Sequence, residues 1–449
     1  MKPLLVLLLS TSAVIAQSMP GMQMASSSSS NPIAPGQASQ PDPLAEAAAR
    51  QPLSLQELLT LAAAHNPTLR AAQAGVAESA GHAKQAGLLP NPVIGYEGDQ
   101  IRGGSYGGGE QGAFVQQTLP LGGKLGLRRD VYRAQQQSDT LALTTQQQRI
   151  EADIESSFYA ALALQQEIDT RKQLAAIAAD AAETARQLAN VGQADAPDIL
   201  QSQVEQEQAA LDTLTAERRY IAAFHQLAAQ AGQPDLPLTR LAGNLNSTPA
   251  QPPSLDTLIA QSPAVRRADQ AVRVAEAQLR STRREIIPDL TLRAGDQWNG
   301  ELVRQNPNIA AGAQSFASAS IDVPLWNRNQ GNVAAAQAAR DAAQAEAQRV
   351  RLALRHDAAP LIEQYNIAAM QTARYKSDLL PRAERAYELY RDRYRQMAAA
   401  YPQVLVSQRT LFELQLAYIR SLDELWQAAS RLRHFTLEGS LNPQKVTGD

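Results

Sequence analysis

The chain contains no cysteine among its 449 residues. That excludes disulfides, thiolate metal ligands and cysteine nucleophiles, and leaves no thiol to carry an N-terminal lipid. Aromatics are scarce at 5% and charged residues amount to 19%, while Ala and Gln dominate. Such a mix favours long helices over an aromatic-rich core. Basic residues are not in excess: the net charge is -3, with a pI near 6.0, so nothing marks the chain for nucleic acid. Beyond the first residues there is no run of about twenty apolar side chains, so no transmembrane helix is expected. The five histidines, His65, His82, His225, His356 and His434, form no pair at ligand spacing. No nucleophile stands near a base in the pattern, so the chain reads as a non-enzyme without a cofactor.

What the chain does have is a second copy of itself. Ser54-Leu55 with Leu58, then Asn66-Pro67, returns as Ser254-Leu255 with Leu258, then Ser262-Pro263. Leu88-Leu89-Pro90 returns as Ile286-Ile287-Pro288, Leu119-Pro120-Leu121 as Val323-Pro324-Leu325, and Pro197 with Ile199-Leu200 as Pro402 with Val404-Leu405. Offsets stay between 196 and 205 residues, so register holds along the whole unit. A duplication of this size implies two equivalent units packed as pseudo-symmetric halves, and its period is too long for a solenoid.

The boundaries follow. Residues 1–16 read as a secretory signal: charged Lys2, an apolar stretch from Leu4 to Leu9, and Val14-Ile15-Ala16 for cleavage near Ala16. Residues 17–52 carry few large apolar groups and are expected to be disordered. The first repeat spans 53–237, a linker 238–253, the second repeat 254–441, and a tail 442–449. Each repeat should hold two short helices, two strands, a very long helix, a tight turn and a return helix. The long helix of the first repeat runs from Lys124 to Asn190 without proline, on the order of 100 Å at 1.5 Å per residue. Ile150, Ile154, Phe158 and Ala161, then Leu174, Ile177, Ala181, Ala185 and Leu188, mark a coiled-coil type of seam. Its counterpart, from Asn329-Gln330-Gly331 to about Arg395, contains Pro360 and should kink or unwind there.

Strands are expected near 91–100, 112–119, 289–297 and 315–323, each about as long as a tilted strand needs to cross a bilayer. Leu290, Leu292 and Ala294 alternate with Thr291, Arg293 and Gly295; Ala317, Ala319 and Ile321 alternate with Ser318, Ser320 and Asp322. Ile94 and Tyr96 alternate with Gly95, Glu97 and Asp99. Apolar-out and polar-in fits a barrel with a wet lumen, and fits a soluble hairpin with one solvated face equally well strand by strand. Four strands cannot close a barrel, and an open edge is not viable in lipid. Three chains would supply twelve strands, an even number of the kind barrels use.

Three segments carry a family resemblance: Leu89-Pro90-Asn91-Pro92 entering a strand, Gln117-Thr118-Leu119-Pro120-Leu121-Gly122-Gly123-Lys124 leaving one, and Val323-Pro324-Leu325-Trp326-Asn327-Arg328-Asn329-Gln330-Gly331 at the equivalent place later. With the turn Val191-Gly192-Gln193 through Pro197-Asp198-Ile199-Leu200, the chain from Leu53 to about Leu441 resembles the TolC family of outer-membrane efflux factors. Within it the likeness is to the heavy-metal branch of CzcC- and CusC-like proteins. The second turn, Met397 to Pro402, departs from the family form in having no glycine. The resemblance implies a mainly α fold with a membrane β-barrel: a homotrimer, four strands per chain in a trimeric twelve-stranded barrel, and coiled-coil helices through the periplasm of a Gram-negative cell. It implies outer-membrane lipid, a periplasmic membrane-fusion adaptor and an inner-membrane pump of the RND type as partners. The cargo would be heavy-metal cations such as copper and silver or cobalt, zinc and cadmium. Drug export or type I secretion would suit the same conduit, since fold does not fix cargo. A periplasmic adaptor is the alternative of another class, disfavoured because it needs one helical hairpin and not two equivalent units.

The candidate residues each have a plainer reading beside the functional one. Asp195 and Asp198, at the first turn, are either caps for the return helix or the carboxylates of an acidic entrance ring. Val191, Gly192, Gln193, Met397 and Tyr401 are the tip residues that the resemblance would place against an adaptor. Met19, Met22 and Met24, half of the six methionines, offer thioethers suited to Cu(I) or Ag(I), or are low-complexity drift. Gly122-Gly123-Lys124 lacks the other residues of a phosphate loop and reads as a strand-to-helix elbow. Gly103-Gly104 and Gly107-Gly108-Gly109 read as an outer loop between the first two strands.

Overall fold

The computed structural model describes residues 43–101, 109–191, 195–303, 306–396, 401–435 and 437–442, all within one compact unit from Pro43 onward. The signal, the methionine cluster, Gly103-Gly104, Gly107-Gly108, Gly192, Gln193 and Met397 lie outside them. Among the described residues no helix is long and apolar enough to cross a membrane.

Each repeat opens in the same way because the same caps recur. In the first, α2 (Leu55–His65) starts at Ser54, whose hydroxyl accepts from the Glu57 amide while Glu57 accepts from the Ser54 amide. Such a capping box satisfies two of the donors that a helix start leaves over. Asn66 then caps α3 (Pro67–Ala86), with Pro67 at the first position, where a missing N–H costs nothing. In the second repeat Ser254 accepts from the Thr257 amide ahead of α6 (Leu255–Gln261), and Ser262-Pro263 opens α7 (Pro263–Arg284). Leu58 on α2 and Leu258 on α6 are both buried, each against the long helix of its own half.

The long helix of the first half, α4 (Lys124–Asn190), spans 67 residues, and α5 (Ala196–Gln230) returns along it. The second half is built from α8 (Gln330–Arg374), a π turn at Tyr375–Leu379, α9 (Leu380–Arg395) and the return helix α10 (Tyr401–Arg433). Pro360 does not break the second long helix: α8 runs through it. The departure from α geometry comes further on, where the Leu380 amide donates to Tyr375, five residues back, immediately ahead of Pro381. Pro381 cannot donate, and the widened turn passes this gap without breaking the helix. The seam of α4 also differs from expectation in its lower half. Ile150, Ile154, Phe158 and Ala161 are buried as read, but below them Ala178, Ala182 and Ala185 form the buried line while Leu174, Ile177 and Leu188 are half-buried. Alanine's single methyl lets neighbouring helices approach closely there, and the larger residues flank the contact.

Two segments expected to be unstructured or mere linker are parts of the core. Within 17–52, residues Pro43–Ala49 form α1 with Ala47 fully buried. In the linker 238–253, β4 (Leu241–Ala242) pairs in parallel with β1 (Leu53–Ser54), and Leu241 and Leu245 are buried. Composition hid both, because a few well-placed apolar side chains suffice when long helices already offer a surface. Trp426 of α10 stacks on Tyr159 at 3.8 Å between ring centroids and donates its indole N–H to the Leu245 carbonyl at 3.0 Å. Below it, Arg433 and His434 reach the buried Glu155 carboxylate at 2.5 and 2.7 Å. Asp153 accepts from the Gly439 and Ser440 amides, closing the C-terminal end onto α4.

The remaining strands form one antiparallel sheet in the order β2 (Val93–Asp99), β3 (Glu110–Leu119), β5 (Leu290–Val303), β6 (Asn306–Ile321). The β5–β6 hairpin is longer than expected: pairing continues past Trp298, through a register shift between Asn299 and Leu302, into the residues between the two expected strands.

The junction of halves rests on Trp426. Replacing Trp426 with Ala should cost roughly 3–5 kcal/mol, read as a lower denaturant midpoint of the helical circular-dichroism signal.

Candidate functional site

The sheet has two chemically distinct faces, and its register shows them row by row. On one face Ile94, Val115, Ala294 and Ala317 lie side by side, with Leu292 and Ala319 in the next row beside Gln117, and Leu119, Leu290 and Ile321 in the one after. Ile94, Val115, Leu292 and Ile321 are exposed, Ile94 to 77%. The apolar band ends at Tyr96 and Trp298, both exposed, where Tyr96 donates to Gln111 and Ser315 donates to Asp296 at 2.5 Å. Aromatic side chains that are apolar in body and polar at one end suit the border between lipid and water.

The opposite face is polar, with one aromatic row across it. Gly95, Phe114, Gly295 and Phe316 are cross-strand neighbours, so each ring lies over a glycine of the adjoining strand. A Cβ on Gly95 would stand 2.5 Å from the Phe114 ring, which is why these strands carry glycine there. The Arg293 guanidinium sits 4.0 Å from the centre of the Phe114 ring and 5.5 Å from that of Phe316, and pairs with Glu97. Thr118, Thr291, Gln297, Glu110 and Asn299 line the rest of this face. This cluster was missed in the sequence, although phenylalanine is rare enough that two of six facing glycines across strands could have signalled it.

Between sheet and helices lie two elbows. Gly122 and Gly123 both take positive φ, at 70° and 73°, and Gly123 stands at the start of α4. The same place in the second repeat is filled by Asn329 at φ 60°, whose side-chain amide donates to the Thr282 carbonyl at 2.9 Å. Lys124 is buried and bonds Asp289 at 2.6 Å, while Arg128 grips Glu285 at 3.0 Å, fastening α4 to the loop ahead of β5.

At the far end of the helices the first turn joins Val191, exposed at the end of α4, to Asp195, which occupies the cap position of α5. Asp195 makes no side-chain capping bond; its backbone carbonyl accepts from the Asp198 amide at 3.0 Å. Asp198 lies in the first turn of α5, and the structure brings it toward the second hairpin. Burial, and then the Asp198 carboxylate, push the Tyr394 phenol of α9 above its ordinary range. Tyr401 is the first residue of α10. Further along, Arg409 of α10 pairs with Glu205 of α5, and Arg171 of α4 bonds Asp212 of α5 at 2.8 Å. Tyr394 and Arg409 carried no signal in the sequence, because a contact between two hairpins has no fixed spacing along the chain. Among the described residues no group of three or more histidine or acidic side chains could hold a metal ion.

A sheet with one lipid-like and one polar face, set on helices of this length, is an architecture with known relatives. The family described as "Outer membrane efflux protein" matches residues 58–233 and 254–436, one match per repeat. The cobalt-zinc-cadmium resistance protein CzcC of Cupriavidus metallidurans is 27% identical over 385 residues, which cover 85% of this chain and 89% of that protein. Among solved structures, CusC superposes with a TM-score of 0.70 at 16% identity, covering 86% of this chain and 92% of that one. The outer membrane protein VceC of Vibrio cholerae superposes with a TM-score of 0.67 at 18% identity, covering 86% and 96%. Long helices, sheet and duplication thus converge with the family match: the chain belongs to the outer membrane efflux protein family and is an outer-membrane efflux channel.

Proposed function

We propose that three copies of the chain close a twelve-stranded barrel in the outer membrane of a Gram-negative cell and continue as a helical tube into the periplasm. The carrying observation is the four-stranded sheet whose outer strands, β2 and β6, each have one unpaired edge beside an exposed apolar face. Backbone groups left open toward hydrocarbon cost several kcal/mol each. Exposed apolar side chains along the helices, such as Leu200, Val204 and Leu211 on α5 and Leu352 and Ile367 on α8, give neighbouring copies a surface to cover. The chain is exported by its signal segment. Transport energy comes from an inner-membrane pump of the RND type rather than from this chain. A periplasmic adaptor docks at the two hairpin tips, around Val191, Gly192, Gln193, Met397 and Tyr401.

The cargo is a heavy-metal cation. Support comes from the CzcC relative, named for cobalt, zinc and cadmium resistance. A second reading, copper or silver, is favoured by Met19, Met22 and Met24, because thioethers select soft cations. Deleting the chain from its host should lower tolerance of one of these metal sets while tolerance of hydrophobic drugs stays unchanged. The reverse pattern would move the channel to drug export. Within a copper or silver phenotype, removing Met19 to Ser30 alone should lower tolerance with the channel still assembled. A peptide of residues 17–30 should bind Cu(I), and Met-to-Ile changes should abolish that.

The periplasmic entrance is acidic. Asp195, which caps nothing with its side chain, and Asp198, beside the second hairpin, would be repeated around the threefold axis as a ring that favours cations. Replacing both with Asn should lower cation preference in single-channel recordings without shifting the thermal transition. Unchanged selectivity with lost stability would make them caps after all. Arg409→Ala should act on opening instead. An exposed ion pair contributes at most about 1 kcal/mol, so stability should hardly change, while freeing α10 from Glu205 of α5 should raise conductance.

A further inference from the structure

The duplication allows one contact between copies to be read from a contact inside the chain. Within one copy, the elbow after β3 packs on the loop ahead of β5: a Cβ on Gly122 would stand 2.5 Å from the Ile287 side chain. In the second repeat Trp326 follows Val323-Pro324-Leu325 where Gly122 follows Leu119-Pro120-Leu121, and two added residues, Asn327 and Arg328, precede Asn329, the counterpart of Gly123 at the helix start. Ile286-Ile287-Pro288 aligns with Leu88-Leu89-Pro90. The elbow after β6 therefore seeks the loop ahead of β2. In one copy these two segments adjoin opposite edges of the sheet, although at the same end of it, because β6 finishes where β2 begins.

Trp326 is 87% exposed, the most exposed of the large apolar side chains among the described residues. Leu88 and Leu89 are also exposed, at 52% and 58%, and border a cleft of about 670 Å³ with Pro90, Leu125, Val131 and Tyr132 on its walls. The intrachain counterpart has no such room, because Ile287 already fills the space beside Gly122, and only glycine fits. The ion pairs that fasten the intrachain elbow are also missing from the second arrangement. Asp289 and Glu285, partners of Lys124 and Arg128, correspond to Asn91 and Gly87.

We propose that the Trp326 indole of each copy docks into the Leu88-Leu89-Pro90 cleft of the next copy, an aromatic anchor that replaces the ion-paired elbow at the seam between copies. The occupant is a second copy of this chain because all the strands pair antiparallel. A β6 edge running one way then meets a β2 edge running the other, and closure brings the two segments to the same rim. Buried tryptophan at the centre of an interface is a typical carrier of its binding energy. The inference rests on the proposed threefold assembly and adds to it the residue that locks the junction between barrel and helices.

The chain's lack of cysteine provides a clean background for the test. The double variant Leu89→Cys with Trp326→Cys, purified in detergent and oxidised, should run as covalent dimers and trimers without reductant and as monomers with it. Either cysteine alone should give no ladder. Trp326→Ala should lower the dissociation temperature of the trimer, and Trp326→Phe should restore part of it. The mass of the parent protein in the same detergent reports the assembly independently. A monomeric mass would overturn the threefold reading and this inference with it. A trimeric mass without a ladder, and with Trp326→Ala dissociating like the parent, would overturn the anchor alone and assign the indole to the lipid headgroups.

Discussion

The backbone hydrogen bonds of four strands govern the rest of this molecule. A sheet of this size is paired internally and open at two edges, and in hydrocarbon there is no water to satisfy the open groups. Such an edge must either stay out of the membrane or find another edge of opposite direction. The apolar face formed by Ile94, Val115, Leu292 and Ile321 makes the first option costly, because those side chains would remain in water. The second option requires copies of the chain, and from it follow the duplicated repeat, the antiparallel strand order and the exposed apolar stripes on the helices.

Duplication makes the closure geometrically simple. Two repeats in each of three copies give six similar units around one axis, so each unit needs one elbow contact and one helix contact of the same type. The chain spends its differences where symmetry breaks. Inside a copy the elbow is glycine on isoleucine with buried Lys124 held by Asp289. Between copies the same place has a tryptophan and no ion pair. A connection made during folding can bury a charge beside its partner from the start. A connection made between finished copies gains more from an apolar anchor, whose burial does not strip water from an ion.

Most of the fold was legible because its signals are local and repeated. Ser54 and Ser254 cap helices, Pro67 and Pro263 open them, and the absence of proline between Lys124 and Asn190 leaves one unbroken helix. Alternation gave the faces of the strands, and their register follows from which side must meet lipid. What the sequence obscured depends on partners far away along the chain. Pro43–Ala49 and Leu241 lack any pattern of their own and are ordered by surfaces that other segments supply. Pro360 drew attention as a helix breaker, yet the altered turn lies ahead of Pro381, and only packing decides which proline a long helix absorbs. The pairing of Arg409 with Glu205 joins two hairpins whose distance in sequence carries no information about their distance in space.

The two ends of the molecule also differ in how firmly they are held, and the difference has a physical origin. At the level of Trp426 the halves are locked by a stacked ring pair, an indole hydrogen bond and a buried carboxylate gripped by Arg433 and His434. Toward the tips the buried line of α4 shrinks to Ala178, Ala182 and Ala185, and the ties between hairpins become ion pairs with solvent-exposed members. Small side chains remove little area from water, and exposed pairs contribute little to stability, so the described parts of the helices that lead toward the tips are held more weakly than the level of Trp426. In the sheet a broken hydrogen bond would face lipid, a cost that the solvent-facing ion pairs of the helices do not carry.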